Sequence, residues 1–430
     1  MQLIRLCSEL RVPSWFRCTT SLLLLSCILF TDVPLRGADW NQFRGPDRNG
    51  ISREKGLLRA WPESGPRVLW SAEVGQGYSA AAIVSDLVYF NDYDVSTQEW
   101  LVRCLTLEKG TEVWRFREKR RIRPNHAITR TVPAVDGKFV FSLDPKAVLH
   151  CLDIKTGDEL WRKELVKEYS AKIPPWYNGQ CPLMEDDRII IATGGDALLV
   201  ALEKATGKEI WRSPNPGNQP MTHASPMPAE FGGVKQYLYT TLTGVYAVAA
   251  EDGKVLWNAP FKLNVAVAPS PVAVDDSLVF LTSGYNAGTA MFRIEKAGGQ
   301  FSAVKVFELT PAEWNSEVHT PIIYQDHLFA VGRNRRGLFT CLNKDGKIVW
   351  DSRGKASFDL GSFLLADGMF FVLDGKTGLL RMIEANTTEY RELASSQILS
   401  GHDVWGPMAL SNGKLVLRDL TKMVCIEVGK

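Results

Sequence analysis

The sequence predicts an all-β fold, an eight-bladed β-propeller of four-stranded antiparallel blades, and three observations carry that prediction. A phrase ending in tryptophan recurs at intervals of roughly 44 to 50 residues, the period of a four-stranded blade. Each interval breaks into four short apolar or alternating runs punctuated by Asp, Gly and Asn, as antiparallel strands joined by tight turns require. At 430 residues the chain is also too long for one ordinary core, unless it is built from units that touch only their neighbours.

The first 38 residues read as a signal peptide. Arg5, Arg11 and Arg17 precede the uncharged run Ser21 to Phe30, which is too short to span a bilayer as a helix. Small residues for cleavage stand at Gly37 and Ala38, so the protein is expected to be exported, periplasmic or associated with the cell envelope. The alternative is a lipid on Cys27, the only route by which a membrane would be a partner. Residues 39–66, rich in Gly and Pro, read as an extended arm lying across the propeller surface, with one helical turn at Gly56 to Trp61.

The propeller is expected to occupy 67–430. Its blade anchors are the phrase-ending residues Trp70, Trp114, Trp161, Trp211, Trp257 and Trp350, with Phe307 and Tyr390 in the two degenerate copies. In the copies DIKTGDELW and EKATGKEIW, Gly157 and Gly207 supply the positive φ of the turn between third and fourth strands. The tryptophan that follows offers a large flat surface between blades. The last unit has only three strands before Lys430, so RVLWSAEV around Trp70 must complete it and close the ring.

Five cysteines remain beyond the leader. Cys104, Cys151, Cys341 and Cys425 occupy equivalent repeat positions, too far apart for disulfides, and read as small packing residues. Charge excludes a dedicated nucleic-acid binder, since 50 Lys and Arg face 48 Asp and Glu. No nucleophile elbow, phosphate loop, HExxH or paired CxxC is present.

With its Asp/Asn, Thr-Gly and Trp in order, the repeat phrase resembles the pyrroloquinoline-quinone-like (PQQ-like, WD40-like) propeller repeat. The arm DWNQFRGPDRNGIS and the closing GHDVWGPMALSNGKLVLRDLTKMVCIEV are similar to exported propellers abundant in planctomycete bacteria. That resemblance implies the propeller fold. It leaves two functions open: a non-catalytic scaffold like the propeller lipoprotein of the outer-membrane β-barrel assembly machinery, or a dehydrogenase of alcohols or sugars using PQQ and Ca²⁺. The quinone alcohol dehydrogenases of this group carry adjacent cysteines, which this sequence lacks, and no calcium set can be matched to numbered positions. The expectation is therefore a binding scaffold with no cofactor.

Loops leading into the innermost strands open on the same face as those between second and third strands, and unusual residues gather there. These are Arg120, Arg121 and Arg123; Arg333, Arg335 and Arg336; and the aromatics Trp176, Tyr177, Trp314 and Trp405, with Asp403. Arginine with aromatics suits a protein partner or an anionic or carbohydrate-like ligand; ordinary solvated loops are the alternative. His126, His223, His319 and His402 precede innermost strands in every second unit. A ring of imidazoles could hold a metal, but the four lie at different distances from the strand-opening proline, which favours hydrogen bonding in the loops and no metal. His150 and His327 fall in strands and are assigned no role.

Overall fold

The structure, a computed structural model, describes residues 38–332 and 337–430; the expected leader up to Gly37 and the arginines 333, 335 and 336 lie outside them. Eight antiparallel sheets follow one another around a ring. Blade 1 shows the pattern, with strands Ala82–Val84, Leu87–Asp94, Glu99–Thr106 and Glu112–Lys119 running from the axis outwards. Blades 2 to 7 occupy 134–164, 183–212, 227–260, 272–309, 322–351 and 363–397. In blade 8 the strand Val68–Glu73 pairs with Lys422–Glu427 from the end of the chain, so the ring closes as the repeat requires.

The tryptophans hold adjacent blades together in two ways. Trp114 Nε1 donates to the carbonyl of Ile154 at 3.0 Å, and Trp161 Nε1 to that of Lys204 at 3.0 Å, in each case a carbonyl in the third-to-fourth-strand turn of the next blade. Trp70, Trp211 and Trp350 do the same with Leu107, Ala250 and Asn386. The turn glycine then lies flat on the indole. A Cβ at Gly157 would stand 2.5 Å from the ring of Trp114, so that position needs glycine for close approach as well as for its φ of +76°.

Three blades depart from this rule. Trp257 donates instead to Gln236 in its own blade, because the next blade carries a long hairpin, Gly288–Ala297 with Gln300–Leu309, in place of the docking turn. Phe307 keeps the anchor register opposite Met291, and Gly346 covers it. In blade 7 the anchor register opposite Met382 belongs to Ala394. Tyr390 precedes that strand and packs edge-on to Trp350 at 6.0 Å, so it seals the seam from a different position.

A second ring of contacts surrounds the axis. The backbone N–H of Cys181 donates to Ser225 Oγ, that of Ser225 to Ser270 Oγ, and that of Ser270 to Thr320 Oγ1. Each of these residues precedes a proline, which cannot donate, so the preceding N–H and side chain carry the link from blade to blade. All five cysteines among the described residues are free and buried.

The arm does not lie across the surface; it enters the ring. Asp39 starts on the lower face, accepting from Ser85 N–H, and Trp40 bridges to Ile83 of the innermost strand of blade 1. The chain rises along the axis to a tip at 43–50. It then descends as Ile51–Ser52, a strand parallel to the innermost strand of blade 7. On the lower face Glu54 accepts from the N–H groups of Asn412 and Gly413. Gly56 to Trp61 form bends and a bridge, not a helix, because Leu57 pairs with Gly429 and commits its backbone to the ring. The apolar face of the arm, Trp40 and Leu57, joins the core of blades 7, 8 and 1.

Candidate functional site

With the arm plugging the axis, the upper face holds a cup of about 340 Å³. Its floor is the tip of the arm, with Phe43, Arg44 and Gly50. All eight blades contribute to the wall through the loops that lead into their innermost strands. Gly50 at φ +79° lets the tip close against Ile322, which a Cβ would meet at 2.9 Å.

Positive charge dominates the cup. Arg44 is buried and donates only to backbone carbonyls: Thr320 at 2.6 Å, Pro321 at 2.8 Å, Asn49 and Arg48. Arg48, behind it, donates to the carbonyls of Pro182 and Cys181 and to Gln42. Arg130 on the wall donates to the carbonyls of Ile128, Asn125 and His126 and lies over the ring of Tyr78. No described carboxylate pairs with any of the three guanidiniums. Burial lowers Arg44 to about 9 and Arg48 and Arg130 each to about 10. Carbonyl dipoles take up most of the N–H groups, Arg48 Nε being left without a partner, and do not cancel the charges.

Two histidines register that charge. His223 Nε2 donates to Pro175 O at 2.8 Å, and His319 Nε2 to Leu360 O at 2.8 Å. Burial first, then Arg130 for His223 and Arg44 for His319, lowers both to about 4, so both rings are neutral at pH 7. The two histidines clamp the wall through Nε2. His126 lines the rim, while His402 is exposed and lies beside Asp403.

Flat walls complete the cup. Trp405 stacks on Tyr78 with centroids 5.3 Å apart, and Trp176 stacks on Tyr285 at 6.3 Å. Of the other residues expected on this face, Trp314 is fully buried against Phe280 and does not reach the surface. It sits in the core shared by blades 5, 6 and 7, where apolar surroundings bury the indole. Tyr177 ties down its neighbour loop, bonding the N–H and carbonyl of Arg123. Arg121 and Arg123 are exposed outside the cup. Sequence reasoning missed Arg44, Arg130, Tyr78, Tyr285 and Glu317. The repeated turn before each proline locates the wall, but nothing in the sequence brings the arm up the axis.

Arg120 belongs to a second cluster, at the seam of blades 1 and 2. It pairs with Asp144 and with Glu118 at 2.7 Å, and Arg162 bridges Glu118 at 2.8 Å and Glu159 at 2.5 Å. His150, fully buried, bonds Glu159 through Nδ1 at 2.7 Å, while Nε2 points towards Glu118 at 3.8 Å and Asp144 at 4.0 Å. Its ring packs on that of the buried Trp100, with centroids 4.7 Å apart. Burial opposes the imidazolium, but Asp144 and Glu159 outweigh burial and raise its pKa. Glu118, His150 and Glu159 present ligand-type atoms within 4.8 Å of one another, yet Arg120 and Arg162 already occupy the acids.

A family profile described as outer membrane protein assembly factor BamB matches residues 98–350. The chain belongs to this family. Solved structures similar to this BamB-family chain share its fold. BamB from Moraxella catarrhalis is 15% identical with a TM-score of 0.58, over 84% of this chain and 97% of that one. A europium-containing methanol dehydrogenase is 13% identical with a TM-score of 0.58, over 90% and 89%. The quinohemoprotein alcohol dehydrogenase ADHIIG of Pseudomonas putida HK5 is 10% identical with a TM-score of 0.60, over 91% and 80%. No curated protein matches the chain. No described helix is long and apolar enough to cross a membrane.

Since neighbours of both kinds carry the fold, the cup itself must be weighed for a quinone with Ca²⁺. Such a pair asks for flat walls, cations for acid groups, and several oxygen donors for the metal. The cup has the first two. Among its described lining residues only Glu317 is a carboxylate, and Arg44 shares the floor, so the residues do not fit the calcium half of the pair.

Proposed function

We propose that this protein is an exported, envelope-associated BamB-family propeller that acts as a non-catalytic binding scaffold through its upper face. The anionic group of a ligand or partner protein lodges in the cup. The observation that carries this reading is the pair of guanidiniums that line the cup, Arg44 and Arg130, with Arg48 fully buried behind them, none of the three paired by a described carboxylate. A closed site with uncancelled charge and low-dielectric walls attracts an anion more strongly than exposed arginines do. The leader-like N-terminus and the family's outer-membrane description support the location.

A second reading, a PQQ- and Ca²⁺-dependent dehydrogenase, has the stacked walls of Trp405 and Trp176 in its favour and the donor set against it. One experiment separates them. Purified protein is titrated with 8-anilinonaphthalene-1-sulfonate, a ring-borne anion, and separately assayed for dye reduction with PQQ, Ca²⁺, alcohols and sugars. The scaffold reading expects salt-sensitive 1:1 binding of the sulfonate, weakened by Arg130→Gln, and no quinone-dependent reduction. Quinone-dependent reduction would reverse the order of the two readings, and absence of sulfonate binding would remove the cup as a site.

A further inference from the structure

We infer that the cup is a site for an acidic sugar, a pyranose unit bearing one carboxylate or sulfate; this rests on the reading of the cup as an anion site. Three features of the wall narrow the class of anion. The first is the supply of cations. Arg130 makes three hydrogen bonds, all to carbonyls, so a guanidinium with five N–H groups keeps donor capacity for an acid group.

The second is the presence of acceptors next to those cations. His319 commits Nε2–H to Leu360, which fixes the neutral tautomer and leaves Nδ1 as a lone-pair acceptor. Glu317, two residues earlier, also lines the cup; it has a contact of its own, and a carboxylate with about four lone-pair sites keeps acceptor capacity beyond it. A flat aromatic polyacid brings acceptors to these groups and gains nothing from them. A polyhydroxylated ring brings O–H donors for Glu317 and His319 and an acid group for Arg130, so it answers both halves of the wall.

The third is shape. The stacked pairs Tyr78 with Trp405 and Trp176 with Tyr285 present aromatic faces, whose negative quadrupole favours the C–H face of a saturated ring. At about 340 Å³ the cup is at the small end for ligand sites, room for one or two rings and not for a long chain. The plugged axis makes it a blind cup, so a longer glycan would enter by an end unit.

Calorimetric and tryptophan-fluorescence titrations of the full protein with glucuronate, glucose 6-sulfate, glucose and benzoate test this. Glucuronate or the sulfate should bind at least tenfold more tightly than both glucose and benzoate, the two arms telling carboxylate from sulfate. Arg130→Gln should weaken the acidic sugar about tenfold, and Trp405→Ala, on the rim, should weaken it independently should the arginine variant fold poorly. Benzoate binding as tightly as glucuronate, or glucose doing so, overturns the inference. If anilinonaphthalene sulfonate binds but no acidic sugar does, the sugar assignment falls and the anion site stands; if neither binds, both fall.

Discussion

Two clusters of the same residue types sit in this ring and have opposite electrostatics. At the seam of blades 1 and 2, Glu118, Asp144 and Glu159 face Arg120, Arg162 and His150, whose raised pKa favours the imidazolium that would bring the sum to zero. Around the cup, Arg44 and Arg130 in its lining and Arg48 buried behind them face carbonyls, and the histidines beside them are held neutral. His150 is raised while His223 and His319 are lowered, although all three rings are shielded from solvent. Burial acts the same way on each of them. The neighbours decide the sign: carboxylates surround the ring in the seam, whereas arginines facing only carbonyl dipoles stand beside the rings of the cup.

Breaking the seam should have the largest effect. Asp144→Ala removes a buried carboxylate that holds Arg120 and accepts from the N–H groups of Lys146 and Val148. It should cost about 3–5 kcal/mol in chemical denaturation while leaving anion affinity in the cup unchanged. His150→Gln should cost less, on the order of 2 kcal/mol near pH 6. The sign follows from linkage: a raised folded pKa stabilises most below about 6.5, the ordinary value, and that gain is lost as pH rises through the folded value. The gap between wild type and His150→Gln should therefore narrow towards alkaline pH; a gap that widens would show that the ring is neutral.

The cup histidines carry the reverse dependence. Their folded values lie near 4, so between about pH 6.5 and 4 the unfolded chain takes up protons first and the wild type loses stability as pH falls. Saturating anion should recover part of that loss, read as a thermal midpoint that rises with ligand more at pH 5 than at pH 7.5. Arg130→Gln should cut anion affinity about tenfold, close to 1.4 kcal/mol, and leave the seam's pH dependence intact. The smallest effect belongs to Arg121→Ala and Arg123→Ala, whose exposed side chains lie outside the cup. Each should change binding and stability by less than about 0.5 kcal/mol. A large loss there would move the binding face outwards to the loop.

The sequence made the ring legible because a repeat states each blade several times over. Trp161 and Gly157 read as a turn and a packing surface from one copy, and the other copies repeat the statement. Closure through Trp70 followed from a missing strand. What the repeat does not state is what enters its centre. Arg44 and Gly50 lie in the arm, outside any copy, so no periodicity tells that they rise along the axis to pair with Thr320 and Leu365. Trp314 misled for a related reason: its loop follows the long hairpin of blade 5 and folds inwards, which local polarity in AEWNSE does not reveal. His150 looked ordinary because its partners come from two blades and, like the charges of the cup, only meet once the ring is built.

The most direct test of the central claim is a histidine-resolved NMR pH titration of the full protein, with and without a bound ring-borne anion. The account predicts that His150 titrates above the ordinary histidine value and ignores the anion, while His223 and His319 titrate far below it and move up when the anion binds. His223 and His319 titrating at the ordinary value, with no response to any anion, would contradict it.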